Sequence, residues 1–287
     1  MSLPVKKIYI DSQYKIADSG SSSDFRIELP YTITMPHNAI FTIDEICIPH
    51  AWYSVEANLN DKIYIHLLDT ITHNRYNVIA TVPAGNYNGI LFRAALQRAL
   101  DLVAPAFTSF LVNYDASTYS ITINVATSNL LFNVLSDVEI MNGLRGLWAT
   151  GAIGPGGDIN RSNVASINDI LRNSDEQTTS YGFSIEYKSG FLNFQAINNM
   201  YLSSPNLGTF TTIGARGEST IIKKIPVSAE YGYMIIDRST SVHDYLECGK
   251  CTLKTIEFHL KDSKGRFVPL HGCNISFSIV FAIKSED

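Results

Sequence analysis

Residues 273–283 read C-N-I-S-F-S-I-V-F-A-I. On an extended chain Cys273, Ile275, Phe277, Ile279, Phe281 and Ile283 fall on one side. Asn274, Ser276 and Ser278 fall on the other, which turns apolar at Val280 and Ala282. A period of two in β-branched and aromatic residues marks a strand with one face in a core. Upstream, Leu253–Leu260 repeats the pattern, with Ile256, Phe258 and Leu260 on one side. Between the two runs lies the polar loop K-D-S-K-G-R-F, with Gly265 where a turn favours positive φ. Two long strands closing a chain in this way are structural, and nothing in them resembles a catalytic apparatus.

Working back to the N-terminus, the reading stays β. Val5–Ile10 is predicted as an extended arm, and Asp18–Asp24 as a polar, Ser-rich run. In F-R-I-E-L, Phe25, Ile27 and Leu29 face inward. Ile40–Ile48 is a strongly β segment that stops at Pro49. From Lys62 the character changes. Lys62–Leu68 and Arg75–Val82 form a predicted hairpin. Asn88–Val103 is the one convincing helix, with Ile90, Leu91, Ala94, Ala95, Leu96, Ala99, Leu100 and Val103 at helical spacing. Asn86 or Asn88 is its N-cap and Pro105 its stop. Phe110–Tyr114 and Tyr119–Val125 give a second hairpin, and residues 136–147 a short helix capped by Ser136 or Asp137. Tyr181–Tyr187, Gln195–Leu202, Thr220–Pro226 and Tyr231–Asp237 are further strands.

The expected fold class is therefore mainly β, a sandwich interrupted by a small α+β module. Residues 1–59 and 178–287 form the sandwich, with an N-terminal arm over 1–20. Residues 60–148 form the inserted module, and 149–177 a long flexible connection, well beyond the usual loop length.

Composition narrows the function classes. The net charge is −5 and no lysine or arginine run occurs, so binding nucleic acid through a basic patch is not indicated. No stretch approaches the ~18 apolar residues of a membrane-spanning helix, and the N-terminus does not read as a secretory signal. Charged residues make up only 17%, which suits a chain that covers part of its surface with other chains.

The search for chemistry is sparse. Cys47 and Cys273 are expected as buried small hydrophobes. Cys248-Gly-Lys-Cys251 is a lone C-x-x-C, which zinc binding would have to complete with further ligands; His243 and His259 are candidates by proximity only. The glycine-rich run Ala149–Gly157 lacks the Lys-Ser/Thr of a phosphate loop. Neither G-x-S-x-G nor H-E-x-x-H occurs. The seven histidines are scattered, and Asp11, Asp18 and Asp24 fit no calcium loop. No cofactor, metal or catalytic residue is assigned.

Several segments in order carry a resemblance. They are Asp24-Phe-Arg-Ile-Glu-Leu-Pro30, Ile48-Pro-His-Ala-Trp-Tyr-Ser-Val-Glu56, Pro83-Ala-Gly-Asn-Tyr-Asn-Gly89, Tyr201-Leu-Ser-Ser-Pro-Asn-Leu207, Lys224-Ile-Pro-Val227 with Tyr231-Gly232, Leu253-Lys-Thr-Ile-Glu-Phe258 and Leu270-His-Gly-Cys-Asn-Ile-Ser-Phe-Ser278. Together they resemble the minor capsid (penton) proteins of Polinton/Maverick elements, adintoviruses and virophage-like DNA viruses. The resemblance implies a jelly-roll sandwich and a homopentamer at the icosahedral vertex of a virion. It also implies a double jelly-roll major capsid protein as partner, a structural rather than enzymatic role, and an outward-projecting inserted module. Trp52 and Tyr53 are candidate interface residues, because aromatics anchor interfaces; alternatively, Trp52 packs inside the sandwich. Two other classes stay open: a carbohydrate- or receptor-binding β-sandwich (spike-like or a domesticated host protein), and an enzyme on a jelly-roll scaffold.

Overall fold

The computed structural model describes residues 6–127, 129–141, 165–171, 183–195, 197–208, 210, 212–214, 220–238 and 244–284. In chain order the strands begin with β1 (Lys6–Asp11), β2 (Asp24–Thr34), β3 (Ala39–Pro49), β4 (Lys62–Asp69) and β5 (Arg75–Thr81). Helix α1 (Gly89–Val103) precedes β6 (Phe110–Asp115), β7 (Ser120–Val125) and β8 (Leu130–Val134). Helices α2 (Asp137–Met141) and α3 (Asn168–Leu171) precede β9 (Glu186–Lys188), β10 (Asn199–Ser203), β11 (Ile221–Pro226) and β12 (Met234–Asp237). The chain closes with β13 (Leu246–Glu247), β14 (Thr252–Asp262) and β15 (Ser276–Ile283). The protein is mainly β and divides into two units, Met1–Trp52 with Ile197–Asp287, and Tyr53–Ala196.

The first unit is a jelly-roll sandwich. One sheet has the order β1-β15-β3-β12, with β13 also on β3, and the other β11-β10-β14-β2. All the pairings are antiparallel. Along the chain β1, β3, β12 and β15 enter one sheet while β2, β10, β11 and β14 enter the other. That alternation is the jelly-roll connectivity. The two closing strands do not pair with each other: they face one another across the core. Phe258 of β14 meets Phe277 of β15 edge to face at 4.9 Å, and Phe25 lies 5.5 Å from Phe258. Ile275, Phe277, Ile279 and Phe281 are buried as their alternation requires. Cys273 departs from the expectation. It is exposed, because the strand starts at Ser276 and Cys273 lies in the preceding turn, where its N–H donates to the Leu270 carbonyl. Cys47 is only half-buried, on the outer side of β3.

Where an arm was expected, Lys6–Asp11 is an edge strand. It pairs along β15 from Lys6↔Phe281 to Asp11↔Ser276 and buries Ile10. Ser12 then locks the corner: its N–H donates to the Ile275 carbonyl, and its hydroxyl accepts from the Ile275 N–H at 3.0 Å. The alternation of Ile8 and Ile10 is the strand signal; the flanking lysines and Tyr9 give the segment its arm-like appearance. Residues 1–5 lie outside the described residues.

In the second unit β5-β4-β8 and β6-β7-β9 form two three-stranded sheets around a second apolar core, with α1 against β5 and β6. Asn88 caps α1, its Oδ1 accepting from Leu91 N–H at 2.9 Å. This sets the phase of the helix. Phe92, Leu96, Ala99 and Leu100 face the core, whereas Ile90 and Leu91, expected there, are exposed. Gly89 is required by close approach, since a Cβ there would lie 2.2 Å from the Tyr114 ring. Ser136 and Glu139 form a reciprocal cap at α2: Ser136 Oγ accepts from Glu139 N–H, and the Glu139 carboxylate accepts from Ser136 N–H. Residues 142–147 of the expected helix are not described.

Sequence reading assigned no element to β8, which pairs with β4 and buries Leu130, Phe132 and Val134. It placed Tyr181–Tyr187 in the sandwich, but β9 pairs with β7. Leu192 and Phe194 then pack into the second core, so the units divide at 196/197. Strand propensity marks such a segment without saying which sheet takes it. Of the connection 149–177, only residues 165–171 are described; α3 lies there, with Ile167, Ile170 and Leu171 buried.

Candidate functional site

The clearest surface feature of the sandwich grows from the end of β3. Pro49 stops the strand, and His50 bonds to the turn at 229–233. His50 Nδ1 donates to the Ala229 carbonyl (2.8 Å), His50 N–H donates to Tyr233 O, and Gly232 N–H donates to His50 O. Gly232 takes φ +84, a left-handed conformation that glycine adopts without strain. Trp52 packs against the His50 ring, with centroids 4.2 Å apart and planes tilted by 31°, and is 2% exposed. Trp52 therefore packs within its own sandwich core, beneath the turn. Tyr53, its N–H held by Glu56 Oε1, is half-buried. What the turn and β12 present outward is Tyr231, Tyr233, Met234 and Ile236, of which Tyr233 is 68% exposed. The alternation around buried Ile235 was the available signal for Met234 and Ile236.

The opposite edge of the same sheet is also aromatic. Tyr9 and Tyr14, at and just after β1, are 78% and 74% exposed, and Tyr31, on β2 of the other sheet, is exposed as well. Lys7 Nζ lies over the Tyr9 ring and Lys6 Nζ over the Tyr31 ring, at 5.3 and 5.1 Å. Lys7 also pairs with Asp44.

On the outer face of the other sheet, Tyr201, Ser203, His259, Lys261 and Asp262 line a small cavity of about 90 Å³. His259 Nε2 is 2.8 Å from Glu257 Oε1 and 3.4 Å from Asp24 Oδ1. Ser203 Oγ donates to the His259 carbonyl, not to the imidazole, so serine and ring are not arranged as nucleophile and base. Asp262 is spoken for as well, accepting from Lys264 N–H, Arg266 N–H and the Arg266 guanidinium.

The C-x-x-C segment is a turn between β13 and β14. Cys248 N–H donates to the Ala39 carbonyl, and a Cβ on Gly249 would meet His37 O at 2.1 Å. Burial pushes the Cys248 thiol up to about 12, with Cys251 adding to the effect, which disfavours the thiolate a metal needs. His259 lies eight residues along β14 from Cys251, roughly 25 Å at the rise of a strand, so the two cannot share an ion. His243 lies outside the described residues. Asp11, Asp18 and Asp24 do not converge: Asp11 accepts from Gln13 N–H, Asp18 pairs with Arg26, and Asp24 approaches His259. Among the described residues no three His, Cys, Asp or Glu side chains gather as metal ligands, and no helix is long and apolar enough to cross a membrane.

No protein-family model matches the sequence, and no curated protein sequence matches it significantly. Among solved structures, the chain is similar to the crystal structure of the mavirus penton protein. The identity is 9%, the TM-score is 0.47, and the match covers 97% of this chain and 100% of that chain.

Proposed function

We propose that this chain is a structural minor capsid protein: a penton whose copies close in a ring of five at the icosahedral vertex of a DNA virion, against a double jelly-roll major capsid protein. The observation that carries the reading is that one jelly-roll sheet exposes aromatic side chains at both of its edges, β1 and β12. A ring of identical subunits needs two different surfaces on each chain, one meeting the other around the axis. Here Tyr9 and Tyr14, with Lys7 at Tyr9 and Lys6 reaching Tyr31 of β2, would form one surface, and Tyr231, Tyr233, Met234 and Ile236 the other. Trp52 serves the second surface from beneath, by holding the His50 corner, and Tyr53 is the half-buried residue that follows it. The ordered resemblance of motifs along the chain supports the choice of a Polinton-, adintovirus- or virophage-like penton among jelly-roll proteins. The role is assembly, without turnover.

Light scattering across a concentration series tests the reading. A species near five times 31.8 kDa, lost in a Tyr9→Ala/Tyr233→Ala double variant that still melts like the parent, is the expected result. A monomer at every concentration that also fails to join capsid shells formed by a double jelly-roll major capsid protein would sink it.

A further inference from the structure

The inserted unit holds a buried imidazole whose hydrogen bonding is half complete. His66 sits on β4, the middle strand of β5-β4-β8, opposite Asn77 on one side and Asn133 on the other. It is 3% exposed and Asn77 1%. His66 Nδ1 donates to Asn77 Oδ1 at 2.6 Å, and the Phe183 ring lies 5.5 Å away. Nε2 is buried and has no hydrogen-bond partner among the described residues. This arrangement suits a neutral ring. A second proton would go to Nε2 and create a buried charged donor with nothing to receive it, which is costly.

The charged neighbours do not rescue it. Arg75 on β5 opposes an imidazolium. Glu139 on α2 favours one, but its carboxylate already accepts from Ser136 N–H and Oγ and, at 3.4 Å, from Asn133 Nδ2. Tyr64, two residues away on the same side of β4, has its phenol pushed up to about 12, mainly by burial, and stays neutral. Among the described residues, β8 brings Asn133 and the 183–185 segment brings Phe183 to this place. The other histidine of the unit, His73, is exposed in the β4–β5 turn.

We propose that His66 is an acid-sensitive latch: neutral, it ties β4 to β5; protonated, it loosens the inserted unit. Burial, the largest effect, lowers the folded-state pKa of the ring below its ordinary value, which is near 6.5 in an unfolded chain. A histidine whose folded-state pKa is lowered contributes stability that is complete above the unfolded value and is lost as pH falls from there towards the lowered folded value. If the folded ring stays neutral, the opening equilibrium rises about thirtyfold by pH 5. The inference does not depend on the capsid reading, since it concerns the fold of one chain.

Hydrogen exchange of the full chain at pH 7.5 and pH 5 tests it. Protection factors, corrected for intrinsic exchange, should fall by up to about thirtyfold in β4, β5 and β8, and should not fall in a His66→Leu variant. Nitrogen-15 titration of the unaltered protein should show His66 titrating below the ordinary value of an unfolded histidine, a readout independent of how the variant folds. Titration of His66 at or above 6.5, or an equal loss of protection in His66→Leu, would overturn the proposal.

Discussion

The sandwich and the inserted unit are both built of antiparallel strands, yet they fill their interiors differently. Between the sandwich sheets lie Phe25, Phe41, Phe258, Phe277 and Phe281 with Ile46, Ile48, Ile256 and Ile279. Among the described residues, the polar side chains that unit buries are hydroxyls and Asp262. The inserted unit has its own apolar core, but it also buries amides, carboxylates and an imidazole: Asn60, Asn77, Asn168, Glu56, Asp61 and His66. Some are well matched. Asn60 Oδ1 accepts from Glu56 N–H at 2.6 Å while its amide donates to the Ser54 carbonyl at 2.9 Å. Others are not: Asp61 Oδ1 and His66 Nε2 are buried without a partner. Apolar contact is indifferent to pH and tolerant of direction, whereas buried polar contact is neither. One chain thus carries a mainly apolar core in one unit and, in the other, a core that also holds buried amides, carboxylates and an imidazole.

The comparison can be broken most decisively at Phe258. Replacement by Ala should cost the sandwich about 3–5 kcal/mol, read as lost exchange protection in β14 and β15. Equal losses in β4 and β7 would mean that the units do not open separately, and the contrast would collapse. Asn60→Ala should cost the inserted unit about 2–3 kcal/mol by leaving Glu56 N–H and Ser54 O unpaired; denaturant unfolding followed by exchange should localise the loss to that unit. A change below about 0.5 kcal/mol would mean that its buried polar contacts carry little stability. Asn88→Ala should cost about 1 kcal/mol through loss of the α1 cap, with Asn88→Ser restoring most of it. At the surface, Tyr9→Ser should move the melting free energy by less than about 0.5 kcal/mol while weakening self-association. A large destabilisation there would mark the β1 edge as part of the fold rather than a contact surface.

Much of the sandwich was legible in the sequence because alternation survives wherever one strand face is buried. The inward faces of β2, β14 and β15 could be read directly from Phe25/Ile27/Leu29, Ile256/Phe258/Leu260 and Ile275/Phe277/Ile279/Phe281. The edges were harder. Lys6–Asp11 has one neighbouring strand and an exposed Tyr9, so its pattern is diluted by residues that belong to the surface. β8 is five residues long, too short for periodicity to separate it from a loop. The candidate surface was located only approximately. Trp52 drew attention as a large aromatic, but it lies inside, and the exposed residues are those of the turn it supports.

The sequence by itself determined that the chain is mainly β, that a helical segment interrupts it, and that Asn86 or Asn88 caps that helix. These follow from side-chain periodicity and local backbone chemistry, which act within a few residues. Tertiary structure alone decided that β14 and β15 face each other across a core instead of pairing, that β9 joins β7, and that Nε2 of His66 is left without a partner. Each of these depends on which distant segments meet, and that is settled by packing across the chain rather than by the preferences of any one stretch.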